Sequence, residues 1–293
     1  MSTALITGAS SGIGLEFAWQ LATGRHDLVM VARNAERLHE EAAAIRAAAG
    51  VNVEVLIADL AVPEDLVRVA ERLRLAQPVV PEDPVAIGLQ AGETQHPVAL
   101  LVNNAGFGTG QQFVGGDLEA ELKALNVMVT AVMVLSQAAA EQMVERGRGA
   151  IVNVGSVAAL TAGGTYSAAK AWVRTFTEGL AAELRGTGVT ATVIAPGLTR
   201  TEFHERGGID ISTLPDFAWL EPRQVVSESL ADVRRGAVFS TPSRRYKAAA
   251  AILRAAPRSA IRAMGSGGMR RKNDDDVSAA ASPVADPADT LAM

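Results

Sequence analysis

Tyr166 and Lys170 stand four residues apart in the run Tyr-Ser-Ala-Ala-Lys, a spacing that places two side chains on one face of a helix. A phenol ionises freely only near pH ~10, so it works as an acid or base only where something stabilises its anion. A lysine ammonium one helical turn away supplies that stabilisation electrostatically. Ser156 comes ten residues before the tyrosine, just past the apolar run Ala150-Ile151-Val152-Asn153-Val154, which reads as a buried strand. Where a strand end faces a helix start, side chains can converge on a small molecule. Tyr-x-x-x-Lys alone is a weak signal, because two residues at helical spacing arise often by chance.

The elements that must position these groups begin at the amino terminus. Thr3-Ala4-Leu5-Ile6-Thr7 is a short apolar strand, followed at once by Gly8-Ala9-Ser10-Ser11-Gly12-Ile13-Gly14. A glycine-rich turn between strand and helix lets backbone N–H groups approach a pyrophosphate, and the helix start adds partial positive charge. Ile13, Phe17, Ala18 and Leu21 make the inner face of that helix. Asp27 to Ala32 reads as a second strand, and Asn34 caps a helix running towards Ala49. Val51 to Ala58 reads as a third, ended by Asp59-Leu60; Asp59 serves equally as the N-cap of the helix beginning near Pro63. Residues 77–97 are Pro-, Gly- and polar-rich and lose periodicity, as a surface insertion would.

Val98 to Val102 is a continuous apolar strand suited to a fully buried parallel sheet, and it ends in Asn103-Asn104-Ala105-Gly106. Leu118, Leu122, Leu125, Val129, Val132 and Met133 recur at helical spacing with Asn126 among them. An amide on an apolar helix usually marks a satisfied core hydrogen bond. Val189 to Ala195 forms a further strand, ending in Pro196-Gly197-Leu198-Thr199-Arg200-Thr201, and Ala237-Val238-Phe239 is a candidate seventh.

Thr-Gly-x-x-x-Gly-x-Gly at Thr7, Gly8, Gly12 and Gly14 resembles the short-chain dehydrogenase/reductase family in its single-domain branch. Asn103-Asn104-Ala105-Gly106, Ser156, Tyr166-x-x-x-Lys170 and Pro196-Gly197 follow in that family's order, so the resemblance runs from about Thr3 to Thr201. It implies an α/β Rossmann-type fold: a doubly wound parallel sheet of about seven strands in the order 3-2-1-4-5-6-7, helices on both faces, within one domain over residues 1–264. It implies an oxidoreductase that moves a hydride between a nicotinamide and a carbonyl or alcohol carbon. In that resemblance Gly8, Ser10, Ser11, Gly12, Ile13 and Gly14 hold the pyrophosphate, while Asp59 and Leu60 meet the adenine. Asn104, Ala105 and Gly106 let the cofactor pass closely. Pro196, Gly197, Thr199 and Thr201 face the nicotinamide end, with Thr201 ahead of Thr199. Tyr166 gives the proton, Ser156 holds the substrate oxygen, and Lys170 lowers the phenol pKa and binds the nicotinamide ribose. Asn126 bends its helix and links Lys170 to solvent through water.

An acidic residue ending the second strand would bind the adenosine ribose and repel a 2′-phosphate. Ala32 lacks that carboxylate, and Arg33 offers a guanidinium suited to bidentate phosphate contact. NADP(H) is therefore expected over NAD(H). One departure from the family stands out: its members usually have a longer connection from serine to tyrosine. The shortfall falls on Leu160 to Thr165, in the wall of the substrate pocket.

Composition narrows the alternatives. The 293-residue chain has net charge −5, against broad nucleic-acid binding. It has no cysteine, and His26, His39, His96 and His204 lack ligand spacing, so no metal site is expected. Strand-like sequence from Thr3 leaves no room for a signal peptide. The uncharged stretch Ala124 to Ala140 carries Asn126, Thr130, Ser136 and Gln137, so it reads as a core helix rather than a membrane span; the expected location is the cytoplasm. Residues 202–221 should lie over the substrate as a lid. Phe203, Ile209, Ile211, Leu214, Phe217, Trp219 and Leu220 make it apolar, which suits a fatty 3-oxoacyl chain or bulky ketone and equally suits packing onto the body. The helices around Asn126 and from Ser167 to Arg185 carry small and apolar faces, which in the family form the interface of a homodimer or tetramer.

Arg244 to Lys272 holds nine basic residues and no acidic one. A solvated helix packed on the domain is the expectation, and contact with an anionic membrane the alternative. Residues 265–293 read as a disordered tail. A catalytically silent dinucleotide sensor or scaffold would not need Ser156, Tyr166 and Lys170 together. A sugar-nucleotide epimerase would need a larger carboxyl-terminal domain.

Overall fold

A computed structural model describes residues 2–89, 93–203 and 215–266. Seven strands, β1 (Thr3–Thr7), β2 (Asp27–Ala32), β3 (Val53–Ile57), β4 (Val98–Asn103), β5 (Gly149–Val154), β6 (Val189–Ile194) and β7 (Phe239–Ser240), form one sheet ordered β3-β2-β1-β4-β5-β6-β7. Every neighbouring pair is parallel. The strands read as unbroken apolar runs because helices cover both faces and neither side meets water. Ala4, Leu5 and Ile6, and Leu28 through Val31, are accordingly all buried. The last strand lies slightly later than the sequence indicates, with Val193 opposite Phe239 and Ile194 opposite Ser240.

The helices are α1 (Gly12–Thr23), α2 (Ala35–Ala49), α3 (Pro63–Arg74), α4 (Leu118–Leu125), α5 (Ala131–Glu145), α6 (Gly164–Glu183), α7 (Pro222–Arg234), α8 (Arg244–Ala255) and α9 (Arg258–Ser266). On one face, α1, α2 and α7 bury Phe17, Leu21, Leu38, Ile45 and Val226 against Leu28, Met30 and Val102. On the other, α3, α5 and α6 bury Leu73, Leu135, Met143 and Leu184 against Leu5, Val29, Leu101 and Ile151. Asn34 caps α2 as expected, accepting from Arg37 N at 3.0 Å. Asp59 does not cap α3. Val62 holds that position with Pro63 at the first helical turn, and the Asp59 carboxylate accepts from Ala61 N instead.

The stretch Leu118–Glu145 has the length and mean hydropathy (1.5) of a membrane span, but half of it is buried inside the protein. Between α4 and α5 it widens into a π-helical turn, Asn126–Thr130.

Residues 77–89 and 93–97 lie along the outer edge of the sheet. Val79 and Gln95 pair through backbone hydrogen bonds of 3.0 and 2.8 Å, and a short helical turn, Val85–Ile87, packs on β3. The fastening is polar. Buried Arg72 meets buried Glu54 at 2.9 Å and donates to His96 O at 3.0 Å, while Gln95 donates to Glu54 at 2.8 Å. Truncating one partner of a buried ion pair strands the other charge. Arg72→Leu should therefore lower the unfolding free energy by about 3 kcal/mol in urea titration, and adding Glu54→Leu should recover most of that loss. Unchanged stability of Arg72→Leu would show that the pair does not anchor this segment.

Candidate active site

The winding direction of the sheet reverses between β1 and β4, and a crevice opens at the carboxyl ends of the strands there. Thr7 and Asn104 hold its two sides together. Thr7 Oγ1 accepts from Asn104 N at 2.9 Å and Ala105 N at 3.0 Å, and the Asn104 side chain donates to Thr7 O at 2.9 Å. The glycine-rich turn packs directly on this joint. Gly8 and Gly12 take positive φ values of 66° and 57°. A Cβ on Gly14 would fall 2.2 Å from Gly8 O and 2.4 Å from the Asn104 amide. The turn is thus drawn tight by its glycines and delivers the start of α1 to the crevice, an arrangement that fits a dinucleotide pyrophosphate.

The other wall comes from β5 and β6. Ser156 follows β5 and caps a short helical turn, Val157–Leu160, its Oγ accepting from Ala158 N at 3.1 Å. Thr161 then bonds back to Ala158 O at 2.9 Å and across to Ser167 Oγ at 3.0 Å, and α6 begins at once. This compact path spans the shortened connection and leaves the Ser156 side chain beside the Tyr166 phenol, close enough to lower its pKa. Beneath them runs a buried polar chain. The Asn103 amide donates to Asn153 Oδ1 at 2.8 Å and Ser136 Oγ at 3.1 Å, and Asn153 donates to Thr177 Oγ1 at 2.9 Å. It fixes β4, β5, α5 and α6 relative to one another, so it sets where α6 presents Tyr166 and Lys170.

The half-buried Tyr166 ring packs on the cluster of Ala124, Met128 and Ala169, against which Phe107 and Val129 also pack, and its centroid lies 5.5 Å from that of Phe203. Burial pushes the phenol up to about 12, partly opposed by the hydrogen bond with Ser156. Lys170 is buried, with its Nζ 5.8 Å from the Tyr166 centroid and donating to Val154 O at 2.8 Å. Burial lowers its pKa to about 8. The expectation that the lysine would depress the phenol pKa is therefore corrected. Desolvation disfavours the charged form of both groups. Nζ also lies 3.5 Å from where a Gly106 Cβ would stand, so it sits against the segment that follows β4.

Asn126 opens the π-helical turn, and its carbonyl accepts from Ala131 N five residues on. Its side chain is exposed, not satisfied within the core as its apolar surroundings suggest. The extra residue in the turn moves it off the buried face, while the turn itself packs against α6. The same shift exposes Leu118, Leu122 and Leu125 and turns Glu121, Ala124 and Met128 inward.

At the far end of the crevice, Asp59 lies 3.1 Å from Lys123 Nζ and 3.6 Å from Arg33 Nη1. Burial would raise its pKa, but the Ala61 N–H, Lys123 and Arg33 together hold it below the usual carboxylate value. Leu60 is buried beside it. The Arg33 side chain is 58% exposed, free to turn towards a ligand. In the turn after β6, Thr199 is buried and donates to Gly197 O at 3.0 Å. Thr201 lies over the glycine-rich turn, its Cγ2 3.1 Å from where a Gly12 Cβ would stand. Residues 204–214, with Ile209, Ile211 and Leu214 of the expected lid, lie outside the described residues, as do 267–293 of the expected tail.

Two features escaped the sequence reading. Arg37 binds Glu202 through two hydrogen bonds of 2.9 and 2.6 Å, linking α2 to the residue after Thr201. Glu121 accepts from Thr109 at 2.7 Å, Gln111 at 3.1 Å and Thr165 at 2.6 Å, tying the first turn of α6 to α4. The first leaves no trace in local spacing. The second had one available signal, an acid beside a leucine stripe.

A family model described as short chain dehydrogenase matches residues 2–77 and 85–209, and its gap falls within the edge segment 77–97. Ketoacyl reductase HetN of Nostoc sp. is 32% identical over 198 residues, covering 67% of this chain and 62% of its own length. A short-chain dehydrogenase from Sphingobium yanoikuyae, solved in complex with NADPH, aligns with TM-score 0.74 and 34% identity over 93% of this chain and 98% of its own. A bulky-bulky ketone specific alcohol dehydrogenase from Comamonas testosteroni aligns with TM-score 0.70 and 29% identity over 88% and 96%. By sequence, sheet order and site architecture, the chain belongs to the short-chain dehydrogenase/reductase family of oxidoreductases.

Proposed function

We propose that the chain is an NADP(H)-dependent reductase of lipophilic carbonyl compounds, bulky ketones or fatty 3-oxoacyl chains. The observation that carries this reading is Tyr166 with buried Lys170 one turn away on α6, Lys170 Nζ donating to Val154 O at 2.8 Å at the end of the strand that leads to Ser156. When bound, the nicotinamide supplies the hydride. Ser156 hydrogen-bonds the carbonyl oxygen and stabilises the charge that develops on it. Tyr166 passes its proton to that oxygen. A phenol held up to about 12 keeps its proton at neutral pH and stands ready as the acid, which favours reduction. Lys170, at about 8, stays largely protonated at pH 7, holds the ribose and meets the phenolate left behind. Asn126 and its π-helical turn carry the proton path towards solvent.

The dinucleotide lies on Gly8, Ser10, Ser11, Gly12, Ile13 and Gly14, with its adenine at Asp59 and Leu60. Asn104, Ala105 and Gly106 flank it, and Pro196, Gly197, Thr199 and Thr201 enclose the nicotinamide. Arg33 engages the 2′-phosphate; Asp59 already has Lys123 close by, so little is lost when the guanidinium swings away. The NADPH held by the Sphingobium relative supports this choice. Phe203 beside the Tyr166 ring, and the Ala124, Met128 and Ala169 cluster on which Tyr166, Phe107 and Val129 pack, form an apolar wall suited to a greasy substrate. The Comamonas relative's ketone specificity and the Nostoc relative's ketoacyl chemistry agree with it.

The chain also works as a homo-oligomer. Leu118, Leu122, Leu125 and Met133 form an exposed apolar surface on α4 and α5. On α6, stacked Trp172 and Phe176 line a surface depression of about 380 Å³.

Tyr166→Phe keeps the ring and removes the proton. It should cut kcat/KM for ketone reduction by about 10²- to 10⁴-fold while leaving NADPH affinity and Tm near wild type; retention of most activity would refute the assignment. Arg33→Ser should weaken NADPH binding by about tenfold or more, the worth of a charge-assisted contact, and leave NADH binding as it was. Equal losses for the two cofactors would remove the 2′-phosphate role.

A further inference from the structure

Tyr246, on the first turn of α8, carries a phenol engaged on both sides. It donates to Ala218 O at 2.7 Å and accepts from Leu198 N at 3.1 Å. Those two residues belong to the two arms of a narrow neck. Leu220 N donates to Leu198 O at 2.8 Å, and Arg200 N donates to Leu220 O at 2.9 Å, with Thr199 and Leu220 paired as a parallel bridge. One hydroxyl therefore staples the arms together from the side. The Tyr246 ring lies on Gly197, where a Cβ would stand 2.1 Å from the ring Cζ. Glycine is required at that turn because an aromatic ring occupies the space of its side chain.

The far end of the same turn reaches the crevice. Val157 N donates to Pro196 O at 3.0 Å, joining the turn to the segment after Ser156, and Thr201 closes over Gly12. The helix bearing Tyr246 also rests on Val157–Leu160. Arg245 donates to Phe217 O, and Arg258 of α9 to Leu160 O at 3.5 Å. Ile261 of α9 is buried. The carboxyl-terminal helices α8 and α9 are thus bound to the segments that follow β5 and β6, on one wall of the site.

We propose that Tyr246 is a positioning residue for dinucleotide binding, acting through Gly197 and Leu198 to hold Pro196–Thr201 at the correct distance from the glycine-rich turn. This rests on the reading of that turn as the nicotinamide-side contact. The carboxyl-terminal helices then belong to the cofactor site without supplying a catalytic group. The sequence led to the expectation of a solvated helix packed on the domain; what that helix packs against, through Tyr246, left no local signal.

The test uses the full chain and Tyr246→Phe, which keeps the ring on Gly197 and removes only the staple. NADPH affinity, measured by fluorescence titration, should fall about 5- to 50-fold, the worth of one or two hydrogen bonds. KM for NADPH should rise with it, kcat should change less, and amide exchange should quicken in peptides covering 196–200 and 216–220. A role confined to stability would lower Tm and leave the affinity of the folded protein at its wild-type value, which would overturn the proposal. Quicker exchange with unchanged affinity would overturn it too. A second arm examines the ring: Gly197→Ala alone should weaken NADPH binding, and in a Tyr246→Ala background it should weaken it no further, since the obstructing ring is gone. Additive losses would show that Gly197 and Tyr246 act separately. Should the wild-type chain bind NADPH yet reduce no ketone, the carbonyl reductase reading falls, while affinity and exchange still decide the role of Tyr246.

Discussion

Two adjacent asparagines at the end of β4 hold the site together, and strand alternation sends them in opposite directions. Asn104 turns towards β1 and bonds Thr7 O at 2.9 Å, closing the joint where the sheet reverses. Asn103 turns into the protein and bonds Asn153 and Ser136, and Asn153 continues to Thr177 on α6. Ser136, Asn153 and Thr177 are fully buried. An unmade hydrogen bond there would cost the desolvation of its group, so the chain of amides and hydroxyls admits few alternative packings. Apolar contacts alone would let α6 slide along the sheet by fractions of a turn. The polar chain fixes its register, and so fixes the separation of Ser156 on one element from Tyr166 on the other.

Register also explains how the short connection after Ser156 is accommodated. A strand and a helix locked to each other from below need not be spaced by their linker. The linker has only to span the gap, and one helical turn with two threonine hydrogen bonds does so. The electrostatics follow from the same burial. The half-buried phenol and the buried ammonium each lean towards the neutral form, which leaves the tyrosine protonated and brings the lysine within reach of neutral pH. Both are poised by desolvation rather than by pairing with each other.

The sheet, its order and the glycine-rich turn were legible because they depend on local signals: unbroken apolar runs, turn glycines and helix caps such as Asn34. The positions of Ser156, Tyr166 and Lys170 were legible as well, since strand and helix periodicity fix them separately. What failed depended on distant partners or on a broken period. The π-helical turn at Asn126–Thr130 adds a residue to one turn. A reading at constant 3.6-residue spacing then joins Leu118, Leu122 and Leu125 to the inward face of the following helix, although they are 61%, 51% and 46% exposed. Asp59 looked like a helix cap because Pro63 follows closely, yet its carboxylate answers to Lys123, 64 positions later. The Arg72–Glu54 pair and the Arg37–Glu202 pair follow the same rule: nothing in a window of one element announces a partner on another.

The exposed leucines of α4 show how function can sit on a defect of periodicity. Had the helix run unbroken from Leu118 to Glu145, its apolar stripe would have faced the sheet throughout. The π-helical turn instead divides the labour along one stretch. The part after it, with Leu135, Ala138, Ala139 and Met143, packs on β4, β5 and α3 as core. The part before it directs Ala124 towards the Tyr166 ring, and Met128 within the turn joins it there, while Leu118 and Leu122 are left on the surface. A continuous α-helix has one buried stripe; a helix with one extra residue in a turn has two, at different angles. The sequence Leu-Asn-Val-Met-Val-Thr therefore does more than interrupt a hydrophobic segment with an amide. It brings apolar side chains to Tyr166 on one side and turns a second apolar surface outward on the other.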